Sequence, residues 1–364
     1  MKSRLVAIIS TLSLGIGVLF AAPAWANATL TGAGSSYANK FMIGCDARTT
    51  DFTINYASVG SGAGRTQFGN GTVDFGASDA ANPITLSGNR AGGKFTYVPV
   101  VGGPIAVLVN VGKIKSGELR LDAATIANIF KGNITKWNAK AIKKLQTAKV
   151  AAKLPNQSIQ VVYRATSSGT SENFTDYLNQ TAGSIWTSPR NGLIYSDAGI
   201  KAPAGSIGAS NAQDLGTKVS LSKGRIGYAD LADSVDSNGK PIIPVAKVKN
   251  ANGAWVLPTS VTASKFLETF FDDEFDPKTG KVTLNFNKKV KGGYNLSLLA
   301  YAIVDKGVDA NKVLASGAKA IDVENWVKYL LKTCGPNYAA GLGYSPISGN
   351  LKTAALAIVA QITN

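Results

Sequence analysis

Short strand-like runs that alternate with helical patterns constrain the fold of this 364-residue chain more than any other feature of its sequence. Each run is apolar, or alternates apolar with polar residues, and ends in small or turn-forming residues, which is typical of strands. The runs are FTINYASVG (52–60), VDFGASD (73–79), FTYVPVVGG (95–103), IAVLVNV (105–111), IQVVYRA (159–165) and RIGYADLA (225–232). Such an alternation predicts an α/β protein.

Two segments outside these runs have helical periodicity and recognisable end signals. In LDAATIANIFKG (121–132), Asp122 can cap the start of a helix whose apolar residues share one face. In IDVENWVKYLLKTCGP (321–336), we expect Asp322 to cap the helix and the final Gly-Pro pair to stop it. Both apolar stripes indicate core packing, with no cofactor implied.

The length of the chain predicts two lobes, because single hydrophobic cores stop growing at about 250–300 residues. The glycines of VVGGP (100–104) permit the backbone changes of a hinge, and GGYNLS (292–297) is a second candidate crossover. The predicted division places residues 27–99 and 297–364 in lobe I and residues 100–296 in lobe II.

Residues 1–26 have the pattern of a secretory signal peptide. Two basic residues precede a long apolar run, and PAWANA (23–28) offers cleavage after Ala26 or Ala28. An uncleaved membrane anchor is the open alternative. No cysteine stands at the cleavage point to carry a lipid, and no later stretch is long and apolar enough to span a bilayer. We therefore expect an exported, periplasmic protein.

Export affects how Cys45 and Cys334 are interpreted. Disulfides persist outside the cytosol, and these two cysteines stand near opposite ends of the mature chain. If they pair, both ends belong to one lobe. Two buried free thiols are the alternative that the sequence leaves open.

The chain contains no histidine. This excludes a Ser-His-Asp triad, a Cys-His pair and a zinc site with histidine ligands. With only two cysteines, thiolate metal clusters are excluded as well. We expect no metal, no cofactor and no enzymatic activity, although a Ser-Lys hydrolase remains formally open.

The net charge of the whole chain is +16, and removing the two basic residues of the signal leaves 36 basic against 22 acidic residues, or +14. A positive surface attracts anions. The lysines are scattered, and no groove-reading motif or interleaving of aromatic and basic residues accompanies them. We therefore interpret this charge as a solvated basic surface and expect no nucleic-acid partner.

Three stretches place small residues between a strand-like run and a helix-like pattern: LTGAGSSYANKF (30–41), VGSGAGRTQFGNG (59–71) and VVYRATSSGTSENFTDYL (161–178). The first turn of a helix has free N–H groups and a partial positive charge, which bind oxyanions. In the third stretch, Arg164 adds a planar guanidinium that matches a tetrahedral oxyanion. Plain helix caps are the alternative, but one tetrahedral anion needs donors from several directions.

No nucleotide-binding motif explains these glycines. The second stretch contains G-x-G-x-G, which is neither the dinucleotide fingerprint nor the P-loop with its Gly-Lys-Ser/Thr end. Asp79, directly after VDFGAS, adds a carboxylate near the end of another strand. A turn or helix cap is the alternative role for that residue.

The motifs TGAGSSY (31–37), VGSGAG (59–64), VDFGASDA (73–80), GNITKWNAKAI (132–142) and VVYRATSSGTSENFTDYL (161–178) occur in this order. Together they resemble the periplasmic phosphate-binding proteins of bacterial phosphate ABC transporters, the PstS family. The resemblance implies a two-lobed type II periplasmic-binding-protein fold, with two crossover segments and the ligand in the cleft between the lobes.

Residue by residue, the resemblance also implies a set of phosphate ligands. They are Ser36, the amide of Tyr37, Ser61, Asp79, Arg164, Ser168, Gly169 and Thr170. Asp79 would accept the hydrogen that phosphate keeps near neutral pH and sulfate lacks. The chain departs from the family at Thr166, where an acid commonly restrains the arginine, and in the short segment at residues 42–52.

The function implied is that of an exported, monomeric solute-binding protein that delivers inorganic phosphate to a membrane permease. Three alternatives remain. The protein could bind another tetrahedral oxyanion such as sulfate, arsenate or molybdate, although Asp79 disfavours those that carry no proton. It could be a secreted phosphate-scavenging or adhesive protein on the same scaffold. The Ser-Lys hydrolase is the third.

Overall fold

The computed structural model describes residues 28–235, 242–271 and 274–363. The predicted signal peptide therefore lies outside the described residues. Within the described ranges, no helix combines the length and the apolar character needed to cross a membrane.

The strands and helices alternate along the chain, as the sequence predicted. The strands are β1 (Ala28–Gly34), β2 (Phe52–Ala57), β3 (Phe75–Ser78), β4 (Phe95–Asn110), β5 (Arg120–Leu121), β6 (Gln160–Arg164), β7 (Ile207–Ala209), β8 (Arg225–Asp230), β9 (Lys247–Lys249), β10 (Trp255–Val256), β11 (Ser297–Asp305) and β12 (Ser345–Pro346). The α-helices are α1 (Asn39–Asp46), α2 (Ser61–Gly69), α3 (Ala123–Phe130), α4 (Lys140–Lys143), α5 (Ala148–Ala151), α6 (Gly169–Ala182), α7 (Ala212–Ser220), α8 (Ser260–Leu267), α9 (Ala320–Tyr329), α10 (Gly335–Tyr338) and α11 (Gly349–Val359).

One curled mixed sheet organises the molecule. Its strand order is β2-β1-β3-β11-β4-β8-β6-β7, with β12 beside β4, and a smaller sheet has the order β10-β9-β5. Strand β1 is parallel to β2 and β3, and β6 is parallel to β7 and β8, whereas β11 is antiparallel to its neighbours β3 and β4. We use lobe I for the part around β2, β1, β3 and β11, and lobe II for the part around β8, β6 and β7.

Strand β4 connects the two lobes. Its residues up to Pro104 pair with β11, and its residues from Ile105 onward pair with β8. Proline has no N–H for a strand ladder, so Pro104 suits the point where the partner changes. FTYVPVVGG and IAVLVNV were predicted as separate strands, but they form this one continuous strand. The predicted crossover 100–104 lies inside β4, and the boundaries of the two lobes remain a prediction.

Helix α3 begins as its sequence signals predicted, whereas α9 begins earlier than predicted, at Ala320. Asp122 Oδ1 accepts the Thr125 N–H at 2.8 Å, as expected for a cap. Asp322 is not the N-cap of α9 but lies in its first turn, where its carboxylate accepts the N–H of the N-cap residue Lys319 at 2.8 Å.

The Gly-Pro pair after α9 does not stop the helical path. A π-helical turn, Leu330–Cys334, follows α9 directly, and α10 begins at Gly335 with proline in its first turn. A proline is tolerated there because the first turn of a helix needs no internal amide donor. The prediction that this pair stops the helix is therefore wrong.

A disulfide joins Cys45 in α1 to Cys334 at the end of the π-helical turn. Their Cα atoms are 5.6 Å apart, and both side chains are fully buried. The bond ties the N-terminal and C-terminal parts of lobe I together across a separation of 289 residues.

Replacing both cysteines by alanine is expected to lower the free energy of unfolding by about 2–5 kcal/mol, because the cross-link restricts the unfolded chain over a long loop. Urea unfolding of the oxidised protein and of the Cys45→Ala/Cys334→Ala variant measures the difference. The variant should also lose any response to reductant. Equal unfolding midpoints for the two proteins would show that the bond contributes nothing to stability.

Candidate functional site

Three strand-to-helix junctions meet where the lobes face each other: β1 to α1 and β2 to α2 in lobe I, and β6 to α6 in lobe II. The backbones approach too closely for side chains at two glycines. A Cβ on Gly60 would lie 2.8 Å from the Ser167 carbonyl oxygen. A Cβ on Gly169 would lie 2.6 Å from Ser61 Oγ and 2.8 Å from Asp79 Cβ. Glycine at these positions lets the junctions close on one another.

Arg164 ends β6 and is 2% exposed. Its Nη1 donates to Ser36 Oγ of lobe I and to Ser168 Oγ of lobe II, both at 3.0 Å. Its Nη2 donates to Thr166 Oγ1 at 3.1 Å, and that hydroxyl donates to the Ser210 carbonyl at 2.7 Å. A neutral hydroxyl therefore restrains the guanidinium where the family commonly has an acid.

Burial makes the charge on Arg164 less favourable than in water. It lowers the pKa of Arg164, and the neighbouring Tyr228 and Asp79 oppose this shift. The Nε of Arg164 is buried and has no hydrogen-bond partner among the described residues. The guanidinium is thus a desolvated charge with spare donor capacity.

Asp79 follows β3 directly and is 3% exposed. Ser35 donates a hydrogen bond to its Oδ1. Ser61 and Thr170 donate to its Oδ2, each at 3.3 Å. Burial raises the pKa of Asp79 to about 6, while the hydrogen bond from Ser35 and the charge of Arg164 oppose the shift. The carboxyl group thus titrates close to neutral pH.

Helix α6 begins in this cluster. Ser168 is its N-cap and accepts the Ser171 N–H at 3.3 Å. The amides of Gly169 and Thr170 in the first turn donate no hydrogen bond within the described ranges. A 14-residue helix has a partial positive charge at this end, so these amides favour an anion.

Tyr37 contributes to the site through its backbone. Its ring is fully buried, packs edge-on against Tyr344 with centroids 5.5 Å apart, and points its hydroxyl at the Pro104 carbonyl, 3.5 Å away. The side chain is therefore core packing next to β4. Its amide lies in the β1–α1 junction beside Ser36, where the sequence placed a backbone donor.

The structure brings the other predicted side chains and amides into one cluster. They are Ser36, Ser61, Asp79, Arg164, Ser168, Gly169 and Thr170. Sequence reasoning missed Ser35 as a partner of Asp79, although it stands next to Ser36 in the same motif. It also missed α7, whose Ala212 N–H donates to Ser36 Oγ at 3.2 Å. The only local signal there was the capping residue Asn211.

The cluster carries one carboxylate acceptor, one guanidinium, several hydroxyl groups and unpaired helix amides. Such a set binds a small oxyanion that presents both oxygen acceptors and a hydrogen. No group of three or more potential metal ligands occurs among the described residues.

Known proteins share both the sequence and the fold. A family model described as "PBP superfamily domain" matches residues 21–331. The phosphate-binding protein PstS of Xylella fastidiosa (strain Temecula1 / ATCC 700964) is 32% identical over 234 residues, which are 64% of this chain and 60% of that protein. The phosphate-binding protein PstS of Pasteurella multocida is 28% identical over 288 residues, 78% of each chain. The match thus spans about three-fifths of the Xylella relative.

The fold resembles that of solved binding proteins. The structure of PfluDING, a high-affinity periplasmic phosphate-binding protein bound with phosphate, superposes with a TM-score of 0.67 at 20% identity. The match covers 89% of this chain and 92% of that one. At this identity the likeness concerns the fold, and it confirms the predicted two-lobed type II architecture. The chain belongs to the PBP superfamily, and its similarity to PstS proteins confirms the resemblance that its loop motifs predicted.

Proposed function

We propose that this chain is an exported solute-binding protein that closes its lobes on inorganic phosphate and delivers it to the permease of an ABC transporter. The observation that carries the proposal is the convergence of Asp79, Arg164 and hydroxyl donors from both lobes at three helix starts. The relatives named PstS are named for phosphate binding, which supports the same ligand.

The donors surround a tetrahedral anion from two sides. Lobe I supplies the hydroxyls of Ser36 and Ser61, and lobe II supplies Arg164 and the start of α6. Hydrogen bonds to charged groups contribute roughly 1.5–3 kcal/mol each. A micromolar dissociation constant corresponds to a binding free energy of about −8 kcal/mol. Several such hydrogen bonds can supply this free energy after the entropic costs of ordering the site and closing the lobes are subtracted.

Asp79 gives the site its selectivity. A carboxylate accepts the hydrogen of protonated phosphate, whereas it faces an unprotonated oxygen on sulfate. Leaving desolvated polar groups unpaired can discriminate between ligands by about ten-thousandfold. Because its pKa is about 6, the carboxyl group is mostly ionised at pH 7.5, so it can act as this acceptor.

The strand topology supports closure by bending at the crossovers. Near the change of partner in β4, the Ile105 N–H donates to the Leu296 carbonyl at 2.9 Å, just before β11 begins. Both crossover segments therefore lie side by side. Rotation about this pair would separate the donors of the two lobes and release the anion.

Export, a monomeric state, the absence of a nucleic-acid partner and binding without turnover complete the proposal. The disulfide supports export, because such bonds persist outside the cytosol. The relatives are named as binding proteins, which supports binding without catalysis.

A thermal-shift experiment tests the ligand. Phosphate at 100 times its dissociation constant should stabilise the protein by about 2.7 kcal/mol, because it binds only the folded state. Sulfate at the same concentration and ionic strength should have little effect. Equal stabilisation by both anions, or by neither, would contradict phosphate as the specific ligand.

Arg164→Ala is expected to weaken phosphate binding by roughly a hundredfold or more, because it removes charge-assisted hydrogen bonds from lobe II. Isothermal titration calorimetry measures the change. Arg120→Ala is the matched control, since the Arg120 side chain lies over the Trp255 ring, in the small sheet. Unchanged affinity in Arg164→Ala would remove this residue from the site.

Asp79→Asn is expected to lower the ratio of phosphate to sulfate affinity by at least about tenfold, because an amide also offers donors to sulfate oxygens. Titration calorimetry with each anion at pH 7.5 gives this ratio. If the ratio of phosphate to sulfate affinity equals that of the wild type, a group other than Asp79 accepts the hydrogen bond from protonated phosphate.

The pH dependence of stability in the phosphate-free protein tests the role of Asp79 independently of ligand binding. Because its pKa is raised, the contribution of Asp79 to the free energy of unfolding falls as the pH rises from near 3.8 to about 6. Over the whole titration, this contribution falls by about 3 kcal/mol. The Asp79→Asn variant should lack this part of the pH dependence, because asparagine does not titrate. Urea unfolding at pH 4 and pH 7.5 measures this difference in the wild type and the variant.

A further inference from the structure

A buried ion pair connects the lobes outside the cluster that would hold phosphate. Glu172 lies in the first turn of α6 in lobe II, and Arg65 lies on α2 in lobe I. Arg65 Nη2 donates to Glu172 Oε1 at 3.0 Å. Asn82, which follows β3 in lobe I, donates its Nδ2 to Glu172 Oε2 at 2.6 Å. One carboxylate of lobe II is thus held by two residues of lobe I.

The same network holds the segment that carries Asp79. Arg65 Nη1 donates to Ser78 Oγ at 2.9 Å, and Ser78 Oγ donates to the Ala80 carbonyl at 2.7 Å. From lobe II, Asn173 Nδ2 donates to the Asp79 carbonyl at 2.6 Å. The backbone on both sides of Asp79 is therefore fixed relative to the start of α6.

Burial makes the ion pair sensitive to loss of either partner. The side chains of Arg65 and Glu172 are 14% and 3% exposed. Removing one partner of a desolvated charge pair leaves the other charge buried and unpaired, which costs far more than the loss of an exposed pair. Such a loss mainly raises the rate of dissociation across an interface.

We propose that Glu172 and Arg65 are positioning residues that set the affinity for phosphate by holding the lobes closed and Asp79 in register with the start of α6. They do so through contacts with each other, with Asn82 and with Ser78. This inference rests on the proposed phosphate-binding function. An apparent dissociation constant rises in proportion as the binding-competent closed form becomes less populated.

Glu172→Gln tests the inference, because it removes the charge and keeps the size and one oxygen acceptor. The dissociation constant for phosphate should rise roughly tenfold to a hundredfold. Stopped-flow measurement should show most of this rise in the dissociation rate and little in the association rate. The melting temperature of the phosphate-free variant should stay close to that of the wild type, because open lobes would leave the side chain of Arg65 in water. This result separates positioning from a general loss of structure.

The matched control is Glu118→Gln, which makes the same chemical change in a pair confined to lobe II. Lys153 Nζ lies 2.7 Å from Glu118 Oε1, and both side chains are about a quarter exposed. This variant should bind phosphate like the wild type. Arg65→Gln changes the other partner of the buried pair, at a more accessible position, and should weaken phosphate binding as Glu172→Gln does. It replaces Glu172→Gln in the test if that variant fails to fold.

A double-mutant cycle completes the test. The Arg65→Gln/Glu172→Gln variant should bind more tightly than the sum of the two single losses predicts, because neither charge is then left unpaired. Additive losses, or phosphate binding by Glu172→Gln within twofold of the wild type, would overturn the positioning role while leaving the proposed function intact. Failure of the wild type itself to bind phosphate would instead reject the proposed function, and the positioning role with it.

Discussion

Two buried charges of opposite sign, Arg164 and Asp79, constrain the junction between the lobes. Neither is more than 3% exposed. Burial lowers the pKa of Arg164 and raises the pKa of Asp79, so it favours the neutral form of each. Each charge opposes this shift in the other, and hydroxyl groups from both lobes add hydrogen bonds. Because Ser36 of lobe I binds Arg164 and Thr170 of lobe II binds Asp79, the contacts that favour ionisation also hold the cleft closed.

Strand β4 is shared by the two lobes and connects them. Nearly all of its 16 residues are buried, and its two halves serve as neighbours of β11 and β8 in turn. A strand shared by two lobes transmits a bend without breaking a core, since each half keeps its own ladder of hydrogen bonds. We therefore propose that lobe movement is concentrated where the partners of β4 change, between Pro104 and Ile105.

The parts of the site that depend on local signals were predictable. A strand followed by small residues and a helical pattern marked each junction, and Asp122 capped α3 as its sequence indicated. Other features depended on distant partners. Asp322 was expected as the cap of α9 and the Gly-Pro pair at 335–336 as its stop, but Asp322 lies in the first turn and the helical path continues through a π-helical turn into α10. Likewise, two predicted strands form the single strand β4, because β11 pairs with its first part and β8 with its second.

By itself, the sequence determined which residue types stand at each helix start, the absence of histidine chemistry and the α/β class, since these follow from composition and short-range pattern. Only the tertiary structure decided which of these residues face one another. Arg164 and Ser36 are 128 residues apart in the chain, and Glu172 and Arg65 are 107 apart. No local propensity encodes such pairs, because each contact joins segments that are distant in the chain and that only the folded molecule brings together.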